Sequence, residues 1–359
     1  MYQPGLKGVI ATETEISFID GEQGTLLYRG LPAYTFVQYY TFEETAFYIL
    51  YGKFPNESEC DQFESKLVNN RHIPKYVKKI MDQLPENLGI MDVLRTTISS
   101  LDMNEEEAEL KLIAVIPTII SYRYRKMKKL QEVEPDPSIH SHVENFVYML
   151  TEKKEKNVVA ILETYLILTM EHGLNASTFA ARVTISTKSD LIAAITSALG
   201  TMKGPLHGGA PTGVIRLLDE INTIDRIHDV ILAKLKKKER IMGFGHRVYK
   251  TVDPRATALK DTITNMDEVP LWMELAIETE RETIKLLNEY KPNQKLYTNV
   301  EYYAAAIMKT LDIDSELFTA IFSSSRIVGW CAHAIEQSNN NTIYRPAVKY
   351  VGKNNPNAR

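Results

Sequence analysis

Apolar and polar residues cluster or alternate at strand spacing in only one stretch of the chain. Between residues 8 and 30, Val9-Ile10, Ile16-Ser17-Phe18-Ile19 and Thr25-Leu26-Leu27-Tyr28 gather around Asp20-Gly21 and Gly24. A strand turns successive side chains to opposite faces and Asp-Gly marks a tight turn, so this region predicts a small β-hairpin. Past Tyr34 the spacing becomes helical. Phe42, Ala46, Ile49 and Leu50 recur along one helix face, and Gly52 with Pro55 ends that segment. The same repeat predicts helices over about 57–69, 90–102, 104–127, 141–151, 157–172, 176–187 and 189–200. It continues over about 210–222, 225–238, 254–265, 270–289, 296–311 and 315–337. Connections carry Gly, Pro, Asn or Asp and are mostly short, no fixed-period repeat is visible, and the tail from Val351 reads as loose. The expected fold is all-α with one short hairpin.

Composition narrows the class. A chain of 359 residues is long enough for two domains, or for one large domain with a lobe. With 44% hydrophobic and 25% charged residues it has the balance of a soluble globular protein, and no apolar run is long enough to cross a bilayer. The start of the chain lacks the basic and apolar regions of a signal peptide. Cys60 and Cys331 are far apart and have no CxxC partner, which argues against a disulfide framework or a thiolate zinc site and fits a reducing cytoplasm. A net charge of −4 argues against a nucleic-acid partner. The short basic clusters, Arg123–Lys129 and Lys234–Arg240, lie near helix ends and read as solvated faces. Any anionic ligand must therefore be met locally.

Three segments place a histidine among glycines or small polar residues: Glu171-His172-Gly173-Leu174-Asn175, Gly204-Pro205-Leu206-His207-Gly208-Gly209, and Gly243-Phe244-Gly245-His246-Arg247. His207 precedes a helix opened by Pro211. A helix N-terminus disfavours a proton on imidazole, and a neutral imidazole can donate to a developing enolate. These residues alone leave two readings open, a catalytic donor or a turn histidine. His246 is not in a dinucleotide fingerprint, because the sixth position of GxGxxG is Val248, and no P-loop is present. Its glycines suit a backbone that approaches a ligand closely, and Arg255 follows at a helix start marked by Asp253 and Pro254. An ordinary loop-to-helix junction is the competing reading. No histidine pair has metal-ligand spacing, so no metal is expected. His72, His140, His142 and His228 read as surface or loop residues, and His333 as a packed one.

Together these segments resemble the citrate synthase family over nearly the whole chain. GLKGVIATETEISFIDGEQGTLLYRG is similar to the family's N-terminal hairpin and FEETAFYILYGKFP to its first large helix. EHGLNAST, GPLHGGAP, GFGHRVYKTVDPRA, TNVEYYAAAIM and FSSSRIVGWCAHAIEQ then follow in family order, with wording most similar to the compact enzymes of Gram-positive bacteria. The resemblance implies a discontinuous large helical domain, 1–208 with 310–359, and a small domain over 209–309. It implies a homodimer that joins acetyl-CoA to oxaloacetate through an enol or enolate and holds no permanent cofactor. By motif position His207 would donate to the enol oxygen, and His246 would polarise the ketone of oxaloacetate. His172, Arg255 and Arg326 would hold its carboxylates, with Arg345 added from the second subunit. Gly243, Phe244, Gly245, Arg247 and Lys250 would receive the adenine and phosphates of CoA. The family's base is an aspartate in Asn-Val-Asp, whereas this chain has Asn299-Val300-Glu301, so the base here would be a longer carboxylate. Two rivals remain: 2-methylcitrate synthase, which uses propionyl-CoA, and a homologue that binds citrate or CoA without useful turnover.

Overall fold

A computed structural model describes residues 2–102, 107–208, 211–246, 248–265, 271–294, 296–310 and 313–352. Three short antiparallel strands open the fold: β1 (Ser17–Asp20), β2 (Thr25–Tyr28) and β3 (Leu31–Pro32). The expected hairpin is the β1–β2 pair, with Ser17 opposite Tyr28. Val9-Ile10 lies outside the sheet, and the third strand comes instead from Leu31–Pro32.

The rest is helical. First come α1 (Ala33–Tyr39), α2 (Phe42–Tyr51), α3 (Glu57–Asn69), α4 (Lys75–Gln83) and α5 (Ile90–Ser99). The long α6 (Ala108–Met127) leads to α7 (His142–Thr151), α8 (Lys156–Thr169), α9 (Ala176–Ser186) and α10 (Leu191–Met202). Then follow α11 (Pro211–Ile221), α12 (Ile227–Lys236), α13 (Pro254–Thr264) and α14 (Leu271–Tyr290). Finally come α15 (Val300–Thr310) and α16 (Phe318–Asn339). The α4 segment carries no sequence expectation, because only Val77 and Met81 are buried among its lysines. Local chemistry sets many boundaries. Thr41 and Glu44 form a reciprocal capping box at α2, and Asn56 with Glu59 repeats it at α3.

Helix α16 runs through the middle, packed on α2, α5, α6, α8, α9 and α10, and is buried nearly all round. Its serines turn their hydroxyls onto the backbone: Ser323 donates to the Thr319 carbonyl and Ser324 to that of Ile321, both at 2.8 Å. Helices α11, α12, α14 and α15 pack on one another, while α13 and α15 also touch α8. No helix among the described residues is long and apolar enough to cross a membrane.

Two sequence expectations fail here. Arg123 and Arg125 do not lie on a solvated face; they are buried and donate to carbonyls. Arg123 reaches Pro85 at 2.7 Å and Leu88 at 2.8 Å, and Arg125 reaches Leu150 at 3.1 Å. His142 is also buried, stacked on Phe42 with ring centroids 4.7 Å apart. Periodicity registers apolar spacing and cannot show that a cation is aimed at orphan carbonyls.

Candidate active site

Two of the helix ends that differ from expectation build the site. Helix α8 stops at Thr169, short of the expected 172, because Glu171 turns into the core. Its carboxylate accepts from Ser17 Oγ at 2.9 Å, from Gly173 N–H and from His333 Nε2 at 3.1 Å. His333 Nδ1 already accepts from Arg182 Nε at 2.9 Å, so Nε2 carries the proton, and the expected packed histidine is found fully buried. His172 is thereby left in a loop. Helix α15 starts at Val300 rather than 296, because Tyr297–Asn299 pairs with the histidine loop. Gly245 N–H donates to Tyr297 O at 2.7 Å and Asn299 N–H to Gly243 O at 3.0 Å. Gly243 and Gly245 have φ of 85° and 87°, the left-handed region open to glycine.

A cleft of about 780 Å³ gathers His172, His207, His246, Arg255, Glu301 and Arg326, residues spread over 155 positions of sequence. His207 Nε2 accepts from Ser177 N–H at 3.3 Å and lies 2.8 Å from Ser177 Oγ. An amide can only donate, so the proton of the neutral ring sits on Nδ1. The start of α9 faces the ring through Ser177, while residues 209–210, which join His207 to α11, lie outside the described residues. Burial, with the charge of Arg326, pushes His207 down to about 4.

His246 is held in the opposite tautomer. Its Nδ1 accepts from Val248 N–H and Tyr249 N–H, each at 3.0 Å, which leaves the proton on Nε2. Burial and the neighbouring Arg255 push this ring down to about 4 as well. Arg255 Nη2 stands 3.5 Å from the same Nε2. Two donors so placed are satisfied by an acceptor oxygen shared between them. His172 completes the group, with Nε2 3.1 Å from the Tyr249 hydroxyl and its ring 5.7 Å from that of His246. Burial, then Arg255 and Arg326, holds His172 well below its ordinary value.

The two arginines differ in kind. Arg255 is paired: Nε donates to Asp253 Oδ1 at 3.0 Å and Nη2 to Oδ2 at 2.8 Å. Asp253 also accepts the Val300 N–H at 3.1 Å, tying Arg255 to the start of α15. Burial alone would raise Asp253; the Arg255 charge and its hydrogen bonds hold it below its ordinary value. Arg326 is 2% exposed, gives Nε to Thr169 O at 2.7 Å and leaves Nη2 without a partner among the described residues. A buried guanidinium with a free donor is strongly unfavourable without an anion.

Glu301 stands at the second position of α15, its N–H donating to Asn299 Oδ1 at 3.1 Å. Burial pushes its carboxyl up to about 7, against the pull of Arg255 and Arg326.

The remaining sequence candidates are more scattered. Phe244 and Gly245 line a second groove of about 640 Å³ beside His246, with Lys238, Arg240 and Lys291. Lys238 and Arg240 belong to the cluster expected to be a plain solvated face; their common groove appears only once α14 is folded beside them. Gly243 lies behind it, where an added Cβ would stand 2.7 Å from the Tyr302 ring. Lys250 is exposed and gives its N–H to Gly21 O at 2.7 Å, and Arg247 lies outside the described residues. Arg345 does not line the cleft; it is exposed along an adjoining groove of about 1030 Å³, with Arg182 and Glu336, that shares Leu6, Val9, Ala11 and Phe179 with the cleft.

Neutral ring donors, a buried cation with one donor atom unsatisfied among the described residues, and a carboxyl poised near neutrality suit proton transfer on an anionic substrate. A family model described as "Citrate synthase, C-terminal domain" matches residues 5–347. A citrate synthase of Synechocystis is 36% identical, over 99% of this chain and 92% of its own length. The citrate/2-methylcitrate synthase of Bacillus subtilis is 38% identical, over 98% of this chain and 96% of its own. A solved ternary complex of Thermoplasma acidophilum citrate synthase with carboxymethyl coenzyme A and oxaloacetate superposes with a TM-score of 0.88 at 29% identity, covering 99% and 97% of the two chains. The chain belongs to the citrate synthase family.

Proposed function

We propose that this chain condenses acetyl-CoA with oxaloacetate to give citrate and free CoA. The observation that carries the reading is the pair of neutral imidazoles in opposite tautomers beside Arg326, whose Nη2 has no partner among the described residues. A thioester α-carbon is a very weak acid, so the base needs donors aimed at the developing oxyanion. Glu301 takes the α-proton while His207 donates Nδ1–H to the thioester oxygen, giving the enol or enolate. Its carbon attacks the ketone of oxaloacetate, whose oxygen receives the His246 Nε2 proton. Water then cleaves the resulting thioester and releases CoA. Arg326, Arg255 and His172 take the carboxylates, since planar guanidinium groups suit them. Loss of water on closure limits wasteful thioester hydrolysis.

The finer features belong to the same reading. Glu301 replaces the family aspartate, and its extra methylene slows the proton transfer. The phosphates and adenine of CoA lie along Phe244, Gly245 and Arg247, with Lys238, Arg240 and Lys291 as further cations; the exposure of Lys250 makes it the weakest of the sequence candidates. Residues 209–309 close as a small domain, which the mutual packing of α11, α12, α14 and α15 supports. Two subunits associate, each lending Arg345 to the other's cleft, which its exposure outside the lining of its own cleft supports. The enzyme works unanchored in the cytoplasm, as a compact form like those of Gram-positive bacteria.

The test is oxaloacetate-dependent thiol release from acetyl-CoA. Release in its presence and none in its absence is expected. A folded protein that binds oxaloacetate and releases no thiol is a binding homologue instead. The Bacillus subtilis relative acts under both names, so 2-methylcitrate formation is the second reading. One methyl is worth roughly 10–200-fold, and kcat/KM with propionyl-CoA decides between them.

A further inference from the structure

The turn of the N-terminal hairpin meets the His246 loop through main chain. Lys250 N–H donates to Gly21 O at 2.7 Å. A β-carbon at Gly21 would stand 2.3 Å from the carbonyl oxygen of Val248 and 2.9 Å from its carbon. At Gly24, with φ of +68°, it would meet Thr251 Cγ2 at 2.7 Å and Val252 O at 2.9 Å. Asp20 holds the turn in shape, its Oδ1 accepting from Glu22 and Gln23 N–H at 2.9 Å each.

The peptide unit between Val248 and Tyr249 joins this contact to the chemistry. Its carbonyl lies on Gly21, and its N–H is one of the two that donate to His246 Nδ1. A peptide unit is planar, so moving the oxygen also moves the N–H. The same strand touches the other histidine loop. Ser17 donates to Glu171, and a β-carbon at Gly173 would lie 3.1 Å from Ile19 Cδ1. Thus β1 and its turn bear on both His172 and His246 from one rigid element.

We infer that Gly21, assisted by Gly24, is a positioning residue for His246: the hairpin turn is a fixed stop behind the Val248–Tyr249 peptide and keeps its N–H on Nδ1. This inference rests on the reading of His246 as the donor to the ketone oxygen. A side chain at 21 would push that peptide back by about 1 Å, a displacement that costs on the order of 100-fold in rate.

The experiment compares Gly21→Ala with Gly30→Ala in the full chain. Gly30 lies in the same sheet region with φ of +89° and nothing within 4 Å of an added Cβ, so its substitution strains the backbone without touching the loop. Proteins carrying 15N-histidine are observed by long-range 1H–15N correlation, with His246 identified by its loss in His246→Gln. Gly21→Ala is expected to move His246 away from the Nε2-protonated pattern and to lower kcat on the order of 100-fold. KM for acetyl-CoA should stay within about twofold. Gly30→Ala should leave the His246 pattern and kcat in place, whatever it does to Tm. Should Gly21→Ala not fold, Asp20→Ala loosens the turn without crowding it and is expected to blur the His246 pattern with a loss of about tenfold in kcat. The inference is overturned if a folded Gly21→Ala keeps both pattern and kcat, if Gly30→Ala reproduces its losses, or if Asp20→Ala leaves the pattern sharp. A moved pattern with unchanged kcat supports the positioning role and instead removes His246 from the proposed chemistry.

Discussion

The backbone N–H of Ser177 donates to Nε2 of His207 at 3.3 Å, across 30 residues of sequence, and so decides which ring nitrogen carries the proton. Trp330 Nε1 donates to Ser177 Oγ at 3.0 Å and fixes the same corner from α16.

Because the deciding donor is main chain, Ser177→Ala keeps the tautomer and loses only the hydroxyl contact. We expect a fall of no more than about tenfold in kcat for Ser177→Ala, and one on the order of 10²–10³ for His207→Ala, with little change in KM for oxaloacetate. Steady-state thiol release reads both. Equal losses in the two variants contradict the assignment of the donor.

Glu301 must be ionised to take a proton, and its carboxyl is pushed up to about 7. The rate should therefore rise with pH through about 7 and level off above it. His207 and His246, pushed down to about 4, do not titrate in that range. Glu301→Gln should abolish this limb and lower kcat on the order of 10²–10⁴. On the same reading Glu301→Asp, which shortens the side chain by one methylene, should raise turnover. A rate that increases as pH falls through 7 excludes Glu301 as the base.

Glu43 is buried, accepts His142 N–H at 2.6 Å and is pushed by burial up to about 7. Its folded pKa exceeds the ordinary 4.5, so its contribution to stability is full below that value and fades as pH rises through about 7. His142 acts at the other end. Burial pushes it down to about 3, so stability is lost as pH falls from about 6.5 toward 3. Glu43→Gln should raise Tm at pH 8 by several degrees more than at pH 5, read by calorimetry. An equal shift at both values contradicts the buried-charge account.

Arg326 lines the cleft and its buried Nη2 has no partner among the described residues, so an anion bound at this arginine should stabilise the protein. Oxaloacetate at 100 times its Kd should add about 2.7 kcal/mol to the natural protein. Arg326→Met should lose this protection and raise KM for oxaloacetate on the order of 100-fold. Retained protection in a folded Arg326→Met protein contradicts the role.

If Arg345 serves the opposite cleft, two inactive variants should complement each other. In mixed dimers of Glu301→Gln and Arg345→Ala, one cleft of the two has both residues. Random mixing should restore roughly a quarter of natural activity, as an isologous two-fold interface requires. No recovery after subunit exchange, shown by mass, rules out the sharing.

Much of this molecule was legible in its sequence because the signals are local. Apolar spacing marked most helices, Asp20-Gly21 the hairpin, Asp253-Pro254 the start of α13, and five motifs in order the family. It missed α4, whose two buried residues give little periodicity, and it ran α8 through Glu171, whose partners lie in β1 and α16. Only the tertiary structure decided which helix start faces His207, which nitrogen of each ring holds its proton, and that Arg326 is buried with a donor to spare. It also turned Arg123, Arg125 and His142 inward and gave Lys238 and Arg240 a common groove. The reason is one of range. Periodicity and capping act within a few residues, whereas a hydrogen bond to an imidazole or a free guanidinium donor depends on groups that only folding brings together.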